Sequence, residues 1–194
     1  MNLLQQLVNG LILGSIYAIV ALGYAVVYGV LRLFNFAHGD LFMLGAYLGT
    51  GAALLAFALV PGLAGAAAGI ALLAITVAAM LGTGAAGVLV ERLAYRPVAR
   101  STRLAQLISV LGSSIVIQNA VMLVAGKRNV FFPELVEVTL YRFGSLTVTS
   151  VQLVIIAAAA VLMAGLYLLF NRTRTGLRIR AVSENRMAAE LMGI

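Results

Sequence analysis

The middle of the chain, residues 41–90, reads LFMLGAYLGTGAALLAFALVPGLAGAAAGIALLAITVAAMLGTGAAGVLV and contains no charged residue. A helix needs about 20 apolar residues to cross a hydrocarbon core of roughly 30 Å, so this stretch is long enough for two crossings. Pro61 and Gly62 stand within it, and proline cannot continue a helix. The stretch therefore predicts two membrane-spanning helices joined by a tight turn.

Charge-free stretches also lie on both sides of this segment, at residues 1–31, 104–126 and 143–171. Only 10% of the 194 residues are charged, and the mean hydropathy is +1.08. A soluble domain carries about 25% charged residues, so the composition excludes a water-exposed globule. We predict an all-α, polytopic transmembrane helical bundle that forms a single transmembrane domain over 1–194. Its five spans lie near 8–31, 41–60, 65–90, 104–125 and 151–170, with a sixth if a broken helix forms at 32–45.

Most of the 13 Lys and Arg residues lie in two short segments beside apolar stretches. Basic residues at span ends are retained on the cytoplasmic side of a membrane. Since two spans separate the segments, both are predicted to be cytoplasmic and residues 126–149 to be outside. The N-terminus is then outside as well, unless residues 32–40 are re-entrant. This clustering also argues against nucleic acid as a partner. The basic residues concerned are Arg92, Arg96, Arg100 and Arg103, then Arg172, Arg174, Arg178, Arg180 and Arg186.

Within the outer segment 126–149, apolar and polar residues alternate at 136–141 and again at 146–149, with Gly144-Ser145 between the two stretches. Such alternation, interrupted by a turn pair, predicts a short hairpin. This extracytoplasmic hairpin-like loop either caps the helix ends or docks a partner.

Residues 32–40, RLFNFAHGD, hold the only His and the only Asp of the chain. Ionisable groups at membrane depth are costly and usually face a cavity or pathway. One interpretation is a polar translocation path beside a broken helix, with Gly39 at the break. The other is a cytoplasmic turn in which Asp40 favours the dipole of the next helix.

The fourth span carries six polar residues that either line an aqueous route or form hydrogen bonds between helices. They are Gln106, Ser109, Ser113, Ser114, Gln118 and Asn119. Small residues also recur at four-residue spacing, which lets helices approach closely in lipid, at Gly10/Gly14, Gly45/Gly49 and Gly65/Gly69. The residues predicted to lie along a translocation path are Asn35, His38, Gly39, Asp40, Ser109, Ser113 and Gln118.

Catalytic chemistry is not indicated by the residue types present. One His, one Asp and five Glu form no recognisable metal-ligand cluster, and the chain has no Cys. Gly126-Lys127 is followed by Arg128 where a phosphate-binding loop needs Ser or Thr. We therefore predict no enzyme activity, no cofactor and no metal, and energy for uphill transport would come from another chain.

Three segments carry a resemblance to a known family. They are Leu31–Gly45 (LRLFNFAHGDLFMLG), Glu91–Asn119 (ERLAYRPVARSTRLAQLISVLGSSIVIQN) and Thr175–Ile194 (TGLRIRAVSENRMAAELMGI). The chain resembles the H-type permease subunits of branched-chain amino acid ABC transporters, collinearly over essentially its whole length. Two departures stand out: Val110 replaces an expected Thr, and family members continue through further spans beyond Ile194. The chain is therefore expected to be a truncated product or a fragment.

The resemblance implies a multi-pass subunit of the bacterial inner membrane that moves branched-chain or related apolar amino acids. Its implied partners are a second permease subunit, two cytoplasmic ATPase subunits, an extracytoplasmic amino-acid-binding protein and membrane lipid. Residues 171–194 would be a cytoplasmic coupling segment, with one helix over 176–193 docking on the ATPase. The implied coupling residues are Gly176, Arg180, Ala181, Glu184, Asn185, Ala188, Ala189 and Gly193.

Two other functions stay open at this point. An ATPase-independent channel or secondary transporter would need ionisable residues inside the spans, which are charge-free apart from their ends. A truncated, non-transporting assembly subunit would bind the partners without transport.

Overall fold

A computed structural model describes residues 3–31, 35–60, 66–126, 130–133, 138–143 and 146–193. Five helices among these residues are long and apolar enough to cross a membrane, so the predicted all-α, five-span fold is confirmed. The sixth span is not found there, since α2 runs without a break from His38 past residue 45. The helices are α1 (Leu3–Leu31), α2 (His38–Leu59), α3 (Ala66–Val90), α4 (Arg96–Val98), α5 (Arg103–Ala125), α6 (Ser150–Arg172), α7 (Arg174–Glu184) and α8 (Arg186–Leu191).

Several sequence features that carried predictions lie outside the described residues. They are residues 32–34, the turn at 61–65, residues 127–129, residues 134–137 and the pair 144–145. The chain divides into two compact units, Phe36–Val136 and the combination of Met1–Asn35 with Glu137–Ile194.

In the unit Phe36–Val136, α2 packs along α3 through small residues. A Cβ at Gly45 would lie 3.0 Å from Thr83 Oγ1, and one at Gly49 would lie 3.8 Å from the Ala79 Cβ. In lipid, helices associate through such close contacts because the apolar medium does not drive them together. Of the predicted four-residue glycine pairs, Gly45/Gly49 packs in this way. Cβ atoms at Gly10 and Gly14 would meet nothing within 4 Å.

A π-helical turn, Glu91–Tyr95, continues α3 into the short helix α4. Pro97 lies in α4 and has no N–H to donate to the preceding turn of helix. A missing backbone hydrogen bond of this kind is consistent with the wider, π-helical turn before it. The chain then turns at 99–102, where the Gln106 amide donates to the Ala99 carbonyl at 3.0 Å. Thr102 caps α5 by accepting the Ala105 N–H.

In the unit formed by Met1–Asn35 and Glu137–Ile194, α1 packs against α6 and α7. Strands β1 (Leu140–Phe143) and β2 (Leu146–Thr149) form an antiparallel hairpin, with Leu140 opposite Thr149 and Arg142 opposite Thr147. Thr149 then begins α6 through a capping box with Gln152, in which each side chain bonds to the other's backbone N–H. The cap ties the hairpin directly to the helix that follows it.

Candidate functional site

Asp40 is held by two side chains of α5. It lies in the first turn of α2 and is half-buried. The Ser114 hydroxyl donates to one carboxylate oxygen, and the Gln118 amide donates to the other at 2.9 Å. The same amide lies 3.3 Å from the Ser114 oxygen, so the three side chains form one hydrogen-bonded cluster. We call Asp40, Ser114 and Gln118 the α2–α5 latch.

The latch joins the beginning of α2 to the middle of α5. Ser114 lies eleven residues from either end of α5, about 16 Å along a helix that rises 1.5 Å per residue. Buried Ala37, Ile117 and Val121 pack beside it. A carboxylate among apolar side chains requires hydrogen-bond donors, and the N-terminal end of α2 adds a favourable dipole. The latch is therefore a polar contact between α2 and α5.

The other predicted path residues of the 32–40 segment are Asn35, His38 and Gly39, and they do not share one face of a helix. Asn35 is buried and precedes α2, while His38 is the first, half-buried residue of that helix. Gly39 is inside α2, so a helix break at Gly39 is wrong. The turn comes before the helix, at Phe36-Ala37.

A cleft of about 1290 Å³ lies between α2, α3 and α5. Its lining is aliphatic apart from Tyr47, Thr50, Ser109 and Ser113. The Thr50 hydroxyl donates to the Ala46 carbonyl at 2.8 Å, within its own helix. The described lining residues carry no charge, so the cleft suits an aliphatic group far better than an ammonium or a carboxylate.

The predicted path residues of α5 divide between the cleft and the latch. Ser109 and Ser113 line the cleft, but both hydroxyls are engaged. Ser109 donates to the Ala94 carbonyl at 2.7 Å, and Ser113 donates to the Ser109 carbonyl at 2.8 Å. Ser109 thus connects α5 to the π-helical turn, as polar residues between membrane helices often do. Gln118 belongs to the latch instead.

The junction of α6 and α7 is closely packed. The Thr173 hydroxyl donates to the Leu169 carbonyl at 2.5 Å and accepts the Gly176 N–H at 3.0 Å. Gly176 is buried, and a Cβ there would collide with the carbonyl oxygens of Leu169 and Phe170. Only glycine fits this approach, so α7 leaves α6 in one fixed direction. We call this junction the α6–α7 elbow.

The prediction of one helix over 176–193 is wrong, because α7 ends at Glu184 and α8 begins at Arg186. Asn185 between them is extended, with φ −150° and ψ 103°. Its side-chain oxygen accepts the Ala188 N–H at 3.1 Å, so Asn185 caps α8 and competes with helix continuation. After α8, Gly193 has φ 77° and ends the helical segment.

The predicted coupling residues differ in their exposure. Gly176 and Ala189 are buried and Ala181 is half-buried, so these small residues pack within the chain. The others present their side chains or backbone at the surface, namely Arg180, Glu184, Asn185, Ala188 and Gly193. Apolar side chains of α8 are also exposed, with Met187 74% and Leu191 83% accessible. The segment thus combines buried small residues with an exposed surface.

Three residues that position these sites were not among the site residues predicted from the sequence. Thr173 had a local signal, since Thr is a preferred residue immediately before the first turn of a helix. Ser114 was noticed only as one of several polar residues of the fourth span. Gln5, which bonds to the hairpin backbone at Thr147, carries no local signal because 142 residues separate the two. Among the described residues, no three His, Asp or Glu side chains converge as a metal site would require.

The five long apolar helices of the described residues define a multi-pass helical membrane protein. Residues 6–194 match the family described as the branched-chain amino acid transport system/permease component, and the chain belongs to this family. It is a multi-pass protein of the bacterial inner membrane.

Two curated relatives are similar over nearly the whole chain. The high-affinity branched-chain amino acid transport system permease protein BraD of Pseudomonas aeruginosa is 38% identical over 196 residues. The corresponding permease protein LivH of Escherichia coli K12 is 39% identical over 197 residues. Each alignment covers 98% of this chain, which spans 62% of the length of either relative. No solved structure matches the chain significantly.

Proposed function

We propose that the chain is the membrane-spanning permease subunit of an ATP-driven importer for branched-chain or related apolar amino acids. The proposal is carried by the family match over residues 6–194. The relatives' names, which specify high-affinity branched-chain amino acid transport, supply the substrate class. The chain itself is not an enzyme in this proposal, and ATP hydrolysis takes place on another polypeptide.

The proposed assembly has a second permease subunit, two cytoplasmic ATPase subunits and an extracytoplasmic amino-acid-binding protein. Residues 171–194 are its cytoplasmic coupling segment, and the exposed surface of α7 and α8 contacts the ATPase. The α6–α7 elbow supports this role because a buried Gly176 and a capped start of α7 make the junction stiff. A movement of α7 is then passed to α6 instead of being absorbed by bending.

The cleft between α2, α3 and α5 is the proposed contribution to the translocation path. Its aliphatic lining provides a surface for the apolar side chain of the amino acid, whose ammonium and carboxylate groups must keep water or other polar partners that this lining does not supply. Tight, selective recognition of the amino acid would then rest with the extracytoplasmic binding protein. The latch holds the beginning of α2 against one wall of this cleft.

Reconstitution of the complete transporter in proteoliposomes tests the proposal. We expect uptake of radiolabelled leucine that requires external ATPase subunits, ATP and the binding protein. Uptake that persists without the ATPase subunits would identify a channel or secondary transporter. Co-purification of all partners without any uptake would identify an assembly subunit instead.

A charge reversal at Glu184 tests the coupling segment itself. Glu184 is exposed at the end of α7, so Glu184→Arg should weaken ATPase binding and leucine uptake at least fivefold without affecting membrane insertion. The matched control is Glu91→Arg, an equally exposed acidic residue in the π-helical turn. Equal loss in both variants, or in neither, would contradict a specific role for the α7 surface.

A further inference from the structure

The Asp40 carboxylate lies at the level of the cleft between α2, α3 and α5. Helices α2 and α3 run antiparallel, and Gly45 of α2 packs against Thr83 of α3. Asp40 comes before Gly45 and is therefore level with the stretch 86–90 of α3, because both helices rise about 1.5 Å per residue. On α2, Leu44 lines the cleft one turn after Asp40. The residues of α3 that line the cleft at this level are Ala86, Leu89 and Val90.

The partners of Asp40 on α5 are also next to the cleft. Ser113 and Ile117 line the cleft. Ser114 and Gln118, which hold the two carboxylate oxygens, directly follow these two residues in the chain. The carboxylate is therefore placed beside the aliphatic lining and not beyond its end.

The negative charge of Asp40 is not neutralised by the residues that the structure describes. Ser114 and Gln118 are uncharged donors, and no Lys or Arg side chain of the described ranges bonds to the carboxylate. An ionised carboxylate has about four lone-pair positions, so two remain for other donors. The Gln118 side-chain carbonyl likewise accepts no hydrogen bond within the described part of the chain. Because a charge inside a span is costly and usually faces a pathway, these acceptors fit a cationic donor.

We propose that Asp40 receives the α-ammonium group of the amino acid during transport, while the aliphatic side chain of the amino acid lies on the cleft lining. This inference rests on the proposed function, which supplies the substrate class. An ammonium group has three N–H donors, and the two carboxylate oxygens with the Gln118 carbonyl supply three acceptors. The substrate carboxylate keeps its water, because the described lining offers it no cation. Ser114 positions the Asp40 carboxylate.

Transport by the complete reconstituted system tests the ammonium site. Asp40→Asn keeps the size of the side chain and removes its charge, and we expect maximal leucine uptake to fall at least tenfold. The leucine concentration that gives half-maximal uptake should stay within twofold, because the extracytoplasmic binding protein captures the amino acid first. Asp40→Glu keeps the charge and should retain more uptake than Asp40→Asn. The matched control is Glu91→Gln, which removes an exposed acid of the π-helical turn and should not change uptake.

A third variant, Ser114→Ala, separates ammonium binding from helix packing. It removes one bond of the latch but leaves the carboxylate and the Gln118 carbonyl in the chain. A purely structural role of Asp40 predicts that Ser114→Ala lowers leucine uptake as much as Asp40→Asn does. We expect instead a loss of at most threefold in Ser114→Ala. ATP hydrolysis by the complete transporter should stay within threefold of the native rate in both variants.

A charge-selective thiol reaction reports on the carboxylate without transport. Ser113→Cys places a single thiol at the cleft of a chain that has no native Cys. Its reaction in nanodiscs is measured with cationic aminoethyl methanethiosulfonate and with anionic sulfonatoethyl methanethiosulfonate. We expect the ratio of the cationic to the anionic rate to fall at least fivefold when Asp40→Asn is added, because the carboxylate attracts the cation. At Val124→Cys, about 16 Å further along α5 and also at the cleft, the ratio should change less than twofold.

Four outcomes would overturn the inference. Normal leucine uptake by Asp40→Asn with an unchanged rate ratio would remove the site and leave the proposed function standing. Equal losses of uptake in Asp40→Asn and Ser114→Ala would assign the carboxylate to helix packing alone. A changed rate ratio with normal uptake would identify a cation site that the substrate does not use. Absence of ATP-driven uptake in the complete native system would contradict the proposed function together with this inference.

Discussion

A carboxylate among apolar helices needs donors, and Asp40 obtains two of them from one neighbouring helix. Ser114 and Gln118 lie four residues apart on α5, so both face the same point at the beginning of α2. An unpaired charge at such a position is expensive, whereas a bonded one fixes the alignment of the two helices. At the scale of single residues, Asp40 therefore acts first as a positioning group for α2.

A double-mutant cycle measures the strength of the latch. We expect Asp40→Asn and Ser114→Ala to be coupled by about 0.5–2 kcal/mol in the free energy of unfolding, because each variant removes part of the same bond. The quantity is obtained from SDS-induced unfolding of the purified protein. Ser113→Ala provides the matched control, since Ser113 donates within its own helix and its coupling to Asp40 should be near zero. Equal coupling of both serines to Asp40 would contradict the latch.

Gly176 offers a second test at the same scale. Gly176→Ala should lower the free energy of unfolding by about 1–3 kcal/mol, because the added methyl collides with two carbonyl oxygens of α6. Gly165→Ala in α6 is the control, since a Cβ there meets nothing within 4 Å and alanine is the better helix former. Thermal unfolding in detergent compares the variants. If the two substitutions have the same effect, the elbow is not as tightly packed as described.

At the scale of whole elements, α5 shows how far polar patterning can be interpreted. The sequence showed that its serines and glutamines stood out, but it left open whether they line a route or join helices. In the structure, Gln106, Ser109 and Gln118 form hydrogen bonds to residues outside their own turn of helix. Which partner each side chain found depended on the element that lies opposite it. Helical spacing specifies which residues share a face but not what that face meets.

The hairpin is held by side chains of two helices, Gln5 of α1 and Gln152 of α6, and the contribution of Gln5 can be measured. Gln5→Ala should speed exchange of the Thr147 amide about five- to tenfold, the equivalent of losing roughly 1 kcal/mol of hydrogen bonding. The Thr149 amide, bonded to Gln152, should be unaffected. Gln6→Ala is the matched control because Gln6 is an exposed neighbour of Gln5. Faster exchange at Thr147 in the Gln6 variant would show that the effect is not specific to the Gln5 bonds.

For the molecule as a whole, the five spans were predictable because charge-free stretches of sufficient length leave few other structures possible in lipid. The helix boundaries agree within a few residues for the same reason. Three glycine pairs of identical spacing were not distinguishable in advance, because close packing at Gly45 and Gly49 depends on Thr83 and Ala79 of α3. The break at Asn185 did have a signal, since Asn is a preferred helix cap. Long-range partners such as Gln5 and Thr147 had none.

The membrane topology predicted from the positions of the basic residues also concerns the whole molecule. The native chain has no Cys, so single cysteines can be introduced without background. We expect Ser101→Cys and Ala188→Cys to react with a membrane-impermeant maleimide only from the cytoplasmic side, and Leu140→Cys only from outside. Ile115→Cys, on an exposed face in the middle of α5 and not among the residues that line the cleft, should react from neither side because this topology places it against lipid. Labelling of positions 101 and 140 from one side would overturn the topology.

The bonds between Gln5 and Thr147 also constrain the order in which the chain can assemble. The ribosome completes α1 before it makes the hairpin. The Thr147 backbone, to which Gln5 of α1 bonds, is made 142 residues after Gln5. The unit Phe36–Val136 is contiguous and can close on itself during that interval, whereas the unit containing α1 is split around it. Helix α1 therefore enters the bilayer before α6, α7 and the hairpin are made, and nascent chains stalled before residue 147 should retain a loosely packed α1.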